Sequence, residues 1–312
     1  IKRVPVVLGE ADVLRSLIKL PGITNAGEGS SGFNVRGGGA DQNLVLMDDA
    51  TIYNSSHLFG LFSVFNPNAV ENLTLYKGGI PPRYGGRLSS VLDVDLKSGD
   101  LENFKADANI GVVSSKLNLQ GPIEKNKTSY YVGGRSSYAH LFLKLTDNSN
   151  SAYFYDMNAK VKHKFSDDDQ LYFSGYLGRD VFSLAESFKN TYGNSFANLR
   201  WKHRFNDDIS SNLSFTFTDY LYRLNLEFVG FEFENGIYDF DLNYDINHYI
   251  SDKIQFRYGL ESIYHTFNPG YIQPTSESSG ITEDQLPRKY AFDNGAYFGV
   301  SQDITENLKI DY

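Results

Sequence analysis

Hydrophobic and polar residues alternate position by position along much of this chain beyond Gly99. Residues 239–245 place Phe240, Leu242 and Tyr244 on one side and Asp239, Asp241, Asn243 and Asp245 on the other. Ile254, Phe256, Tyr258 and Leu260 alternate with Gln255, Arg257, Gly259 and Glu261. Tyr155, Met157, Ala159 and Val161 oppose Asp156, Asn158, Lys160 and Lys162, and Leu213, Phe215 and Phe217 oppose Ser214, Thr216 and Thr218. A period of two over such lengths specifies strands with one apolar and one polar face. Ten are predicted, near 104–113, 116–123, 128–138, 153–165, 170–180, 194–206, 210–223, 237–250, 254–267 and 290–304, and another starts at Asn307.

The polar faces carry full charges of both signs, which leaves two architectures open. In a soluble sandwich the apolar faces pack on one another and the charged faces meet water. In a membrane barrel the apolar faces meet lipid and the charged faces line a wet lumen. Alternation alone does not separate them, but connection lengths bear on the choice. Short polar turns at 124–127, 166–169, 206–208, 251–253 and 305–307 alternate with long connections at 139–151, 182–193, 224–236 and 268–289. Tight turns at one end and long loops at the other are the signature of an antiparallel membrane β-barrel. A sandwich has no reason to sort them.

Ahead of this region the texture is different. Residues 8–20 put Val13, Leu14, Leu17 and Ile18 on one helical face, and Pro21-Gly22 stops the helix. Residues 24–31 are rich in Gly, Ser and Asn and read as a loop. From Gly32 to Gly99 three brief alternations (Phe33 and Val35; Leu44 and Leu46; Leu73 and Leu75) predict short strands, each broken by glycine or an Asp/Asn turn. They are too few to bury a core of their own, so something larger must enclose them. The chain therefore divides at residue 100, with an α+β unit over 1–100 and the strand-rich region over 101–312.

The motifs of the first unit resemble the plug domain of TonB-dependent outer-membrane receptors. They run in order as Val35-Arg36-Gly37, Leu46-Met47-Asp48-Asp49, Leu75-Tyr76-Lys77-Gly78, Tyr84-Gly85 and a closing strand from Val91 to Lys97. Asp49 stands where the family usually has glycine, and aspartate tolerates the left-handed turn. The resemblance implies a plug inside a barrel of twenty-two strands, of which about ten are present. An open half-barrel would expose unpaired backbone in lipid at several kcal/mol per group, so the expectation is a truncated chain or one completed by further polypeptide. By the same resemblance Arg36 and Lys77 pair with barrel carboxylates, placed beyond Tyr312, and lock the plug. The resemblance also implies that the loops 28–31, 38–42 (Gly38, Gly39, Asp41, Gln42) and 53–57 (Tyr53, Asn54, His57) are candidate contacts for an external ligand. Implied partners are outer-membrane lipids, a TonB-type energy-coupling protein engaging a segment upstream of Ile1, and a surface lipoprotein lid or other subunits of an outer-membrane complex. The implied function is energy-coupled import of a nutrient, with a non-transporting structural subunit of the same fold as the alternative.

Other chemistry is disfavoured. Gly37-Gly38-Gly39 is followed by a strand where a phosphate loop needs a helix, so close backbone approach explains it better. Asp48 and Asp49 are neighbours that point apart and read as a turn, and Asp167 to Asp169 as a solvated turn. The six histidines show no paired ligand spacing, and no nucleophile, base and acid stand out, so neither a metal, a cofactor nor an enzyme is expected. Net charge of −9 argues against nucleic acid. No cysteine is present, which suits passage through an oxidising periplasm. With 22 Tyr and 23 Phe the chain is aromatic-rich, and Tyr138, Phe142, Phe182, Phe188 and Tyr192 in the long connections suit either ligand contact or interface anchoring.

Overall fold

The computed structural model describes residues 6–7, 10–27, 32–138, 140–141, 150–185, 187–277 and 279–312. Strands β1 (Val6–Val7) and β2 (Glu10–Ala11) pair ahead of helix α1 (Val13–Leu17). The helix is shorter than its apolar pattern because Asp12 caps it, its carboxylate accepting from the Arg15 N–H at 2.8 Å. Its buried residues Val13, Leu14 and Leu17 are those the periodicity placed on one face. β3 (Ile23–Asn25) pairs with β4 (Phe33–Val35), and β5 (Asn43–Met47) turns back into β6 (Ala50–Thr51). That turn holds Asp48 and Asp49 at φ of 49° and 69°, the left-handed geometry that aspartate accepts. A small hairpin, β7 (Ser56–His57) and β8 (Phe62–Ser63), follows, and β9 (Val70–Tyr76) and β10 (Ser90–Leu96) complete a sheet of order β6-β5-β10-β9.

β10 is the middle of this unit. Leu92 sits between Val45 and Leu75, and Val94 between Met47 and Leu73. Met47, Leu92 and Val94 are fully buried, yet the same apolar cluster takes in Tyr131, Tyr176 and Phe196 from the surrounding wall. The plug therefore completes its core against its enclosure.

The wall is one antiparallel sheet. Its strands are β11 (Lys105–Ile110), β12 (Ser114–Glu124), β13 (Thr128–Ser137), β14 (Ser151–Lys164), β15 (Asp169–Leu184), β16 (Phe188–Arg204), β17 (Ile209–Leu226), β18 (Phe231–Ser251), β19 (Ile254–Pro274), β20 (Asp284–Gln285), β21 (Lys289–Thr305) and β22 (Leu308–Asp311). They follow one another in sequence order, with the short β20 added to β19 beside β21. The burial is inside-out. Phe215, Phe240 and Leu242 are 48, 45 and 48% exposed, whereas Ser214, Thr216 and Asp239 are 1, 2 and 3% exposed. A row of outward apolar residues runs across five strands, Val161 beside Phe173, then Leu199, Phe215 and Leu242. A face of that kind is stable against lipid, with the polar face turned to an interior that the plug fills.

Three of the expected long connections are partly strand. β15 continues to Leu184 and β16 starts at Phe188; β17 ends at Leu226 and β18 starts at Phe231; β19 runs on to Pro274. These strands have 16 to 21 residues, more than the roughly 9–11 that cross a bilayer. Beyond the lipid the outward face need not be apolar, so the alternation that betrays a strand weakens there. The connection 139–151 lies largely outside the described residues.

If the outward face meets lipid, Leu242→Arg costs the barrel about 2–4 kcal/mol at mid-depth. If it meets water the change falls within about 0.5 kcal/mol. Urea unfolding of the complete protein from phospholipid vesicles distinguishes the two.

Candidate functional site

The plug and wall meet through buried charge, and the alternation of β14 sets the contacts. Asp156, Asn158 and Lys160 all point inward and are 3, 1 and 4% exposed. The Lys160 ammonium donates to Asp48 at 2.8 Å and to the Leu96 carbonyl at 2.9 Å, joining the turn after β5 and the end of β10 to the wall. Four residues along the strand, Asp156 takes two bonds from Arg135, from Nε at 2.8 Å and from a terminal nitrogen at 2.5 Å. The same carboxylate lies 3.2 Å from His57 Nε2, while His57 Nδ1 is 2.7 Å from Asp180. The Leu58 N–H donates to the second oxygen of Asp180 at 2.7 Å, and Arg135 donates to the Ser63 carbonyl at 2.8 Å. The hairpin of β7 and β8 is thus held by β13, β14 and β15 together.

With a carboxylate at each ring nitrogen, and the Tyr176 hydroxyl 3.4 Å from Nε2, the surroundings of His57 favour the imidazolium, which donates from both nitrogens. Burial works against that charge, but Asp180 and Asp156 outweigh it and raise the His57 pKa above its usual value. Phe154 stacks on the ring at 4.3 Å between centroids.

Around the barrel the charge pattern changes sign. Next to β16 the plug presents acids: Asp49 pairs with Arg200 at 2.6 Å, and Asp95 lies 3.7 Å from the same guanidinium. Burial alone would push the Asp49 carboxyl up, yet Arg200 and Arg83 hold it below its usual value. Towards β18 the plug presents a base, Arg83, which bridges its own Asp49 at 3.4 Å to Asp245 of the wall at 3.5 Å. Tyr53 adds a hydrogen bond to Asp239, its hydroxyl kept protonated by burial and by that carboxylate.

The residues singled out by sequence separate into three groups. Tyr53, Asn54 and His57 are taken by the wall: Asn194 accepts from the Tyr53 and Asn54 N–H groups at 3.0 and 3.2 Å and donates to the Asn54 carbonyl at 2.7 Å. His57 is 1% exposed, so in this arrangement it is a clamp rather than a contact for an external ligand. Gly38, Gly39, Asp41 and Gln42 form a loop around a 3-10 turn (Ala40–Gln42), with Asp41 exposed. A Cβ on Gly38 would lie 2.5 Å from Ser89 Oγ, the close approach that its glycine run implied. Arg36 is not in the strand but in the exposed turn after β4, at φ 49°, its guanidinium beside Gly78. Lys77 donates to the Pro21 carbonyl at 3.0 Å. Neither reaches a wall carboxylate among the described residues. Loop 28–31 and Phe142 lie outside those residues. Of the remaining aromatics, Phe182 and Tyr192 pack against Phe59 at the plug apex at 5.4 and 5.8 Å. The pairings of Asp48, Asp49, Arg135, Asp156, Lys160, Asp180 and Arg200 were missed. Their only signal was inward placement on charged strand faces.

Residues 7–90 match the family described as the TonB-dependent Receptor Plug Domain. No curated protein sequence matches the chain significantly. Among solved structures, the copper transporter OprC superimposes with a TM-score of 0.72 at 11% identity, over 96% of this chain and 50% of that one. The siderophore receptor PirA from Pseudomonas aeruginosa gives 0.68 at 13% identity, over 99 and 52%. The FrpB iron transporter from Neisseria meningitidis gives 0.66 at 15%, over 95 and 55%. The chain spans about half the length of these structures. At such identities the likeness establishes the fold, a plug enclosed by part of an outer-membrane-type β-barrel, and residues 7–90 carry the TonB-dependent receptor plug domain.

Proposed function

We propose that the complete protein imports a nutrient solute across the outer membrane, with the plug as a gate moved by a TonB-type coupling protein acting on a segment upstream of Ile1. The observation that carries this reading is the character of the seal. Beside the shared apolar cluster, plug and wall are joined by ion pairs and hydrogen bonds, among them Asp48 with Lys160 and His57 with Asp156 and Asp180. A buried ion pair contributes little net stability over its solvated partners, so water entering a moving interface can replace it. An apolar seal would lose its burial free energy outright. The loop of Gly38, Gly39, Asp41 and Gln42 is the proposed point of first ligand contact. Arg36 and Lys77 are proposed to lock the plug against barrel outside this chain.

In cells carrying the complete receptor, uptake of its solute is expected to stop when the coupling protein is deleted, with the receptor still in the membrane. Uptake that persists unchanged contradicts the reading. No uptake of any solute, together with loss of an outer-membrane complex on deleting the receptor, selects the structural-subunit alternative.

The His57 clamp gives a pH dependence. Its pKa is raised in the folded state, so its stabilising contribution is complete below the ordinary histidine value of about 6.5 and is lost as pH rises through the raised value. Hydrogen-exchange protection of the Leu58 amide, corrected for intrinsic rate, is expected to fall on alkalinisation. In His57→Gln it is expected to be lower and flat with pH.

A further inference from the structure

The negative side of the lumen is not fully neutralised. Four inward positions alternate along β18, Asp239, Asp241, Asn243 and Asp245, and on β19 Glu261 pairs in register with Asn243. Asp239 is met by His265 at 2.7 Å and by Tyr53, and Asp245 by Arg83 and Tyr297. Asp241 and Glu261 make no ion pair among the described residues, although Glu261 accepts a hydrogen bond from the Asn243 side chain and lies within the field of Arg83. They border a cavity of about 600 Å3 between these strands and the plug segment around Arg83 and Arg87. Asn243 is 7% exposed and lines the same cavity; among the described residues its side-chain oxygen has no donor, and one Asp241 oxygen is likewise buried without a partner.

Two half-buried carboxylates converge on one space with the orphaned oxygens of Asp241 and Asn243, and among the described residues neither of those oxygens meets a donor. Among the described residues no group of three His, Cys, Asp or Glu is disposed to hold a metal ion, and a cavity of about 600 Å3 with carboxylates on one side has room for the head of an organic cation. We propose that this cavity is a subsite for an alkylammonium or guanidinium group of the transported solute, held by Asp241 and Glu261 with Asn243 accepting a further N–H. The assignment of that cation to the cargo rests on the transport reading; the binding itself does not.

The test uses the complete receptor in detergent, without any coupling protein, titrated calorimetrically with cadaverine, agmatine and, as an anionic counterpart, glutarate. At least one of the two cations is expected to bind saturably, glutarate not to bind, and Asp241→Asn/Glu261→Gln to weaken the cation at least tenfold. Should that double variant fail to assemble, Asn243→Leu is expected to weaken binding severalfold with both carboxylates kept. Absence of cation binding, equal binding of glutarate, or unchanged affinity in the variant that assembles overturns the subsite. Cation binding by a receptor that shows no energised uptake would leave the subsite standing and remove the transport reading instead.

Discussion

A charge enclosed by a lipid-facing cylinder has to meet its opposite, and most of this structure follows from that requirement. The outward face of the wall is apolar because lipid demands it, and strand geometry then turns the polar residues inward. Once inward, Lys160, Arg200 and Asp156 are almost wholly buried, and an unpaired ion there would cost several kcal/mol. The plug supplies the counter-charges: Asp48 and Asp49 towards β14 and β16, His57 towards β14 and β15, and Arg83 towards β18. Complementary stripes of this kind fix how the plug is rotated inside its wall as well as how tightly it is held. A turned plug would set Asp49 against Asp245.

Glycine and turn chemistry place those counter-charges. The β5–β6 turn needs two residues in the left-handed region, and two aspartates both tolerate the backbone and supply the carboxylates. One pair of residues thereby serves local geometry and long-range docking.

Much of this was legible in the sequence. The period-two runs gave the wall strands, their faces and the tight turns, short alternations gave the plug strands around Phe33, Leu44 and Leu73, and the family resemblance gave the closing strand from Val91. What escaped reading falls into two kinds. Strand ends above the lipid, such as 182–184 and 224–226, escaped because both faces can meet water there and nothing enforces alternation. The clamps escaped because a pairing like Asp48 with Lys160, 112 residues apart, depends on how two units dock. His57 was noticed for its position after the Asp turn. Sequence could not tell that Asp156 and Asp180 close over it and withdraw it from the outside. Arg36 shows the converse, since the resemblance pairs it with a barrel carboxylate and the turn after β4 leaves it exposed.

The account stands or falls on whether buried charge, rather than apolar contact, holds the plug. A double-mutant cycle on the complete receptor tests this most directly, with Lys160→Met, Asp48→Asn and both together, read as hydrogen-exchange free energy of plug peptides around Leu96. Lys160→Met alone strands a buried carboxylate and is expected to cost about 3–5 kcal/mol. In the double variant the carboxamide that replaces the Asp48 carboxylate can still accept from the Leu96 N–H, and at least about 2 kcal/mol of that loss is expected to be recovered. Additive effects, with no coupling between the two positions, would contradict the claim.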